Sequence, residues 1–267
     1  MSANFTPPPL FIRGIFAISP AVGYQNKGFE NQGYSIVANT FEGIGIERDA
    51  MTLGDIKVND EFVNSKLVFM TTGGATARTT FGGKTVAQEY VYWTEEDAED
   101  GAGWYLAKDE DATVNCNDVE LPFGSGILVY RTTSEADAQL VCSGQVSTTP
   151  VTKGFPNSGY TPIGNCCPLQ ISLGDITVND DFVNSKIVFM TTGGATARTT
   201  FGGKTVAKEY VYWTEEDAED GAGWYLAKDE DATVNCNDSI TFEAGEGFLV
   251  YRTASEVSAT ITLPKAL

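Results

Sequence analysis

Residues 52–118 recur as residues 172–238 without a gap, 120 positions later. The two copies differ only at Thr52/Ser172, Lys57/Thr177, Glu61/Asp181, Leu67/Ile187 and Gln88/Lys208. Whatever one copy folds into, the other must be able to fold into, so an internal repeat dominates the reading of the chain. The match extends outward with more drift. Downstream, "GSGILVYRTTSE" (124–135) faces "GEGFLVYRTASE" (245–256). Upstream, "KGFENQGYSIVAN" (27–39) faces "KGFPNSGYTPIGN" (153–165), and six extra residues fall in the first copy around "FEGIGIERDA".

The expected plan is an N-terminal arm (1–24), a first repeat (25–148) and a second (151–267), joined at "STTPVTKG". Each repeat is long enough to bury a core. Loops ordinarily drift faster than packed strands, yet here the acidic loops are unchanged and the outer segments differ. A young duplication accounts for the sameness without any function. The alternative is that both loops meet one kind of partner surface, as in a pseudo-dimer inside a symmetric assembly. The divergent segments are then natural places for contacts that tell one copy from the other.

Composition narrows the chemistry. The chain carries 36 acidic against 17 basic residues, a net charge of −19, and no histidine. Phosphate backbones are bound by clustered Lys and Arg, so nucleic acid is not an expected partner, nor is an anionic membrane surface. Without His there is no Ser-His-Asp triad, no Cys-His pair and no His-ligated zinc. No apolar run approaches the ~18 residues of a spanning helix, so no membrane insertion is expected. The first residues do not read as a signal peptide: they lack a basic start, carry Pro7–Pro9 and place Arg13 within the apolar run. Five cysteines, with no C-x-x-C pair, exclude a zinc ribbon and point to buried thiols or an incidental bridge.

The repeat reads as β. "KLVFMTT" (66–72), "EYVYW" (89–93) and "GILVYRT" (126–132) are rich in β-branched and aromatic residues. "SIVAN" and "ITVND" look like further short strands. Gly82-Gly83 reads as a two-residue hairpin turn, and "MTLGDI" (51–56) as one helical turn capped by Thr52. Short strands with frequent turns predict an all-β protein with one small sandwich or barrel per repeat. In the arm, "TPPPLF" should be extended. "LFIRGIFAI" is β-prone and apolar, so Phe11, Ile12, Ile15 and Phe16 are candidate contacts with a neighbouring subunit.

Three patterns invite a chemical reading. "GGKT" (82–85) fails as a phosphate loop, because Arg78 stands where the first Gly belongs. The acidic loops offer oxygens for calcium: Asp109, Asp111, Asn115, Asn117 and Asp118, with Asp229, Asp231, Asn235, Asn237 and Asp238 in the second copy. Val114 occupies the position of the EF-hand glycine, so that loop type is excluded, and a solvated acidic loop is the plain alternative. No carboxylate pair stands out for glycoside hydrolysis, and no enzyme is expected. Trp93, Trp104, Trp213 and Trp224 form either core aromatic clusters or stacking platforms for a ligand.

The motifs "VGYQNKGF", "GYSIVANTF", "LGDI", "GAGWYL" and "GSGILVYR" together resemble those of β-rich repeat domains common in uncharacterised surface or secreted bacterial proteins. The likeness covers both repeats but not the arm, and it implies no catalytic residues. The expected function is that of a non-enzymatic structural subunit of an extracellular assembly. A virion accessory protein (capsid decoration or fibre) or a surface filament or layer would fit, with itself or other structural subunits as partners. The alternative is an adhesin or lectin module with two equal sites. No cofactor is expected beyond the calcium candidate.

Overall fold

The computed structural model describes residues 22–29, 33–43, 50–63, 65–69, 88–131, 138–156, 158–183, 185–189, 208–253 and 258–265. The protein is all-β, organised as several small sheets. The first ten strands are β1 (Val22–Phe29), β2 (Gly33–Ala38), β3 (Met51–Thr52), β4 (Lys57–Val58), β5 (Lys66–Phe69), β6 (Gln88–Trp93), β7 (Gly103–Leu106), β8 (Glu120–Leu121), β9 (Gly126–Arg131) and β10 (Ala138–Gln145). The next ten are β11 (Val151–Phe155), β12 (Gly159–Gly164), β13 (Ile171–Ser172), β14 (Thr177–Val178), β15 (Lys186–Phe189), β16 (Lys208–Trp213), β17 (Gly223–Leu226), β18 (Thr241–Phe242), β19 (Gly247–Arg252) and β20 (Ala259–Leu263).

Strand order repeats. One five-stranded sheet runs β2-β9-β5-β6-β7 and the other β12-β19-β15-β16-β17. Three-stranded sheets run β1-β10-β4 and β11-β20-β14, and the pairs β3-β8 and β13-β18 complete the set. Every pairing between these strands is antiparallel. Alternation of side chains explains why the central strands of the three-stranded sheets hold their register. In β20, Ala259, Ile261 and Leu263 are buried while Thr260 and Thr262 are half-buried on the other face.

Val22–Tyr24, expected at the end of the arm, begin strand β1 and pair with Ser143–Gln145. The other arm residues, including Phe11, Ile12, Ile15 and Phe16, lie outside the described residues, as does the Gly82-Gly83 hairpin. "ITVND" gives only the two-residue strand β14 before a 3-10 turn over Asp180–Phe182. That turn carries Phe182 into the core, and Asn179 Oδ1 accepts the Thr260 N–H at 2.8 Å. The turn expected at Thr52 is a 3-10 helix over Leu53–Asp55. The Asp55 carboxylate accepts the Thr52 N–H at 2.9 Å and its hydroxyl at 3.1 Å, which fixes the chain direction so that Leu53 is buried.

Aromatic edges knit the sheets together. Phe62 lies edge-on to Phe29 and to Trp104, each at 6.0 Å, and Tyr92 is edge-on to Trp104 at 5.4 Å. Phe155, Phe182, Trp224 and Tyr212 repeat the arrangement. A buried arginine closes each unit. Arg131 at the end of β9 donates from Nη1 to the Phe29 carbonyl at the end of β1, and Arg252 donates to the Phe155 carbonyl. These bonds tie a five-stranded sheet to its three-stranded neighbour.

The two sets of sheets meet at β2 and β12, the first strands of their five-stranded sheets. Val37 bridges Glu246, Ser125 bridges Ile163, and the Ala38 N–H donates to the Gly245 carbonyl at 2.9 Å. Strands β7 and β17 sit at the other side of each sheet. The nearly identical strands β7 and β17 therefore lie at the edges away from the junction, and the divergent strands β2 and β12 lie at it.

Candidate functional site

Two surfaces qualify: the acidic loops beside β7 and β17, and the junction. Each acidic loop folds onto its own strand. After β7 the chain returns so that the Cys116 N–H donates to the Trp104 carbonyl at 2.7 Å, and Tyr105 bridges Asn115. The edge of β7 is thereby occupied by its own loop. The loop is held from within. Asp109 Oδ2 accepts the N–H groups of Thr113 and Val114 at 3.0 and 3.1 Å. Asn115 Oδ1 accepts the Asn117 N–H at 2.8 Å, and Asn117 Oδ1 accepts the Trp104 N–H at 3.0 Å. Gly103 is needed here, because a Cβ on it would meet the Asn115 and Asn117 amides at 2.6–2.8 Å. Ala112 adopts φ 48° at the tightest point, as Ala232 does at 46°. Asp229, Asn235 and Asn237 repeat these bonds.

This network shows what the calcium candidates do in the folded loop. Asp109, Asn115 and Asn117 already commit oxygens to backbone donors. Asp111 and Asp118, like Asp231 and Asp238, are exposed. Among the described residues, no three His, Cys, Asp or Glu side chains converge as a metal-holding group. The acidic loops are self-supporting turns with their remaining carboxylates in solvent.

The tryptophans divide into two kinds. Trp104 and Trp224 are 0% exposed and offer no ring face to a ligand. Trp93 and Trp213, at the ends of β6 and β16, are half-buried. The indole N–H of Trp104 and that of Trp224 meet no acceptor among the described residues, so each ring is present for its bulk.

The junction holds a cavity of about 210 Å³ lined by Asn39, Gly124, Lys153, Phe155, Pro162 and their neighbours. The Lys153 ammonium donates to the Phe123 carbonyl across the junction. Burial lowers its pKa, against the opposing pull of the Cys166 thiol. Lys153 is the ionisable side chain among the lining residues, so the cavity pairs no acid with a base. Sequence reasoning did not single out Lys153, Arg131 or Arg252. Their signal was a basic residue recurring at equivalent positions in a chain poor in bases.

All five cysteines are free thiols, and only Cys116 is more than marginally accessible. Burial pushes Cys142 and Cys166 up to about 12, so both stay protonated and unreactive near neutral pH. In the native protein at pH 8, a thiol reagent should label Cys116 quickly and the other four only after denaturant is added. Rapid labelling of Cys142 or Cys166 would contradict this burial.

No family model matches the chain, and no curated protein matches it. A solved structure described as that of the Macrobrachium rosenbergii nodavirus aligns over 98% of this chain and 96% of that chain, at 13% identity and a TM-score of 0.14. Similarity at that level carries no argument about fold or function.

Proposed function

We propose that the chain is a non-enzymatic structural subunit of an extracellular assembly, most simply a virion accessory protein such as a capsid decoration or fibre. In this reading it consists of two tandem copies of one small β-sandwich unit behind an N-terminal arm, and it docks on itself or on other structural subunits. One observation carries the reading. Strands β7 and β17, with the loops that barely differ between copies, lie at the edges away from the junction, and the differing strands β2 and β12 lie at it. A subunit with two equal ends meets two equivalent neighbours, which is how repeated contacts build a symmetric assembly. The lectin alternative keeps only the half-buried Trp93 and Trp213 as rings to offer, since Trp104 and Trp224 are buried.

Sedimentation of native material, with negative-stain imaging of the same sample, tests the proposal. Large regular particles or filaments are expected. A monomer near 28.7 kDa overturns it. Deleting residues 1–20 should abolish incorporation, and unchanged incorporation removes the arm from the proposal.

A further inference from the structure

The cavity at the junction takes its walls from both halves. Leu121, Pro122 and Ile127 line it from the first, and Phe155, Pro162 and Ile163 from the second. Its volume of about 210 Å³ exceeds the ~150 Å³ that holds benzene in an engineered apolar cavity. Drug-sized ligands need ~300–1,000 Å³. The space therefore suits a single small ring or a short hydrocarbon chain.

One charge stands in this apolar wall. Half-buried Lys153 crosses from β11 to the first half, and its Cε lies 2.9 Å from where a Cβ on Gly124 would be. Gly124 lines the same cavity, so the end of the lysine is beside it. One of the three ammonium donors goes to the Phe123 carbonyl. Among the described residues no carboxylate pairs with this ammonium. The Cys166 thiol acts on it, but burial pushes that thiol up to about 12, so it carries no negative charge near neutral pH. Cations drawn out of water are ordinarily paired. The second half does not repeat the arrangement: over Gly245, which answers to Gly124, lies the uncharged Gln25.

We propose that the junction cavity binds one small apolar monocarboxylate per chain, with its hydrocarbon part among Ile127, Phe155 and Pro162 and its carboxylate on the Lys153 ammonium. Charge complementarity selects this occupant. A neutral molecule of the same shape keeps the apolar contacts and forfeits the charge-assisted hydrogen bonds. A dianion brings a second charge that the apolar wall cannot pair. The ligand touches both halves, so its binding favours the folded chain with its junction closed. The site stands independently of the assembly proposed above.

The test titrates benzoate and benzamide, which share size and shape, into the isotope-labelled full chain and follows its amide resonances. Benzoate should saturate with a Kd of about 1 mM or tighter, as its size allows, and should move the amides of Gly124, Gly126 and Gly154. Benzamide should bind about tenfold more weakly, the difference between a charged and a neutral hydrogen-bond acceptor. Equilibrium dialysis should count one benzoate per chain in spite of the repeat. Lys153→Met keeps most of the apolar stem and removes the charge, so it should bring benzoate down to the level of benzamide and leave benzamide unchanged. Where that variant does not fold, the two ligands on the unaltered protein decide the matter. No saturable binding of benzoate, equal binding of benzamide, two benzoates per chain, shifts centred away from the junction, or a folded Lys153→Met protein that still prefers benzoate would each overturn the proposal. Sedimentation of native material as a monomer would count against the assembly reading alone.

Discussion

Replacing Trp104 by alanine should lower stability by about 3–5 kcal/mol, the cost of emptying an aromatic site from a packed core. Trp224→Ala should cost the same within error. The surroundings are matched to a tenth of an ångström: Phe62 and Tyr92 stand 6.0 and 5.4 Å from Trp104, and Phe182 and Tyr212 stand 5.9 and 5.4 Å from Trp224. Trp104→Phe should recover more than half of the loss, because the indole N–H has no acceptor to forfeit among the described residues. Urea unfolding followed by far-ultraviolet circular dichroism reads all three. A Trp104→Ala protein as stable as the parent would mean that the ring is not the plug on which the sheets close.

Arg131→Ala should cost about 3 kcal/mol, from a different source. Its guanidinium supplies a donor to the Phe29 carbonyl inside the protein, and stripping a buried carbonyl of its donor costs ~1–3 kcal/mol. The buried stem adds a packing loss. Arg131→Lys should recover little, because an ammonium on a flexible chain does not reproduce the rigid fork. Hydrogen exchange provides the local readout. The amides of β1 and β10 should lose protection before those of β6 and β7, since the bond holds the three-stranded sheet to the five-stranded one. Uniform loss of protection across all strands would show that the arginine serves the core generally and not this seam.

Much of the fold could be read from local chemistry. β6, β9 and the capped turn at Thr52 announced themselves because strand propensity, turn residues and capping all agreed there. The junction was half legible: divergence between the copies indicated where they had to differ, but not that Val37 would bridge Glu246. No pattern along one strand can show which residue it meets across a junction. The acidic loops could be read only in part for a related reason. Asp109, Asn115 and Asn117 have the oxygens of a calcium loop, and the same oxygens serve equally well as acceptors for backbone donors. Composition does not distinguish the two uses; only the direction of each carboxylate and amide does. Arg131 escaped notice because arginine is seldom buried, and the carbonyl that holds it lies 102 residues away in sequence.

That long reach sets the order of events at the ribosome. β1 pairs with β10 along all eight residues, and the side chains of Asn26 and Gln139 meet across a separation of 113. A nascent chain grows at ~5–20 residues per second, so β1 waits on the order of ten seconds for its partner. Long-range pairing of this kind is slow and leaves an edge available to rivals. The rival is β20, the equivalent strand of the second copy, which emerges after a further wait on the order of ten seconds. It pairs with β11 over five residues, not eight, and "ATITL" shares little with "AQLVCSGQ". The divergence of these closing strands thus lets a chain that repeats itself sort its own ends during synthesis. Grafting β20 onto the position of β10 would be expected to trade that fidelity for tangled, cross-paired products.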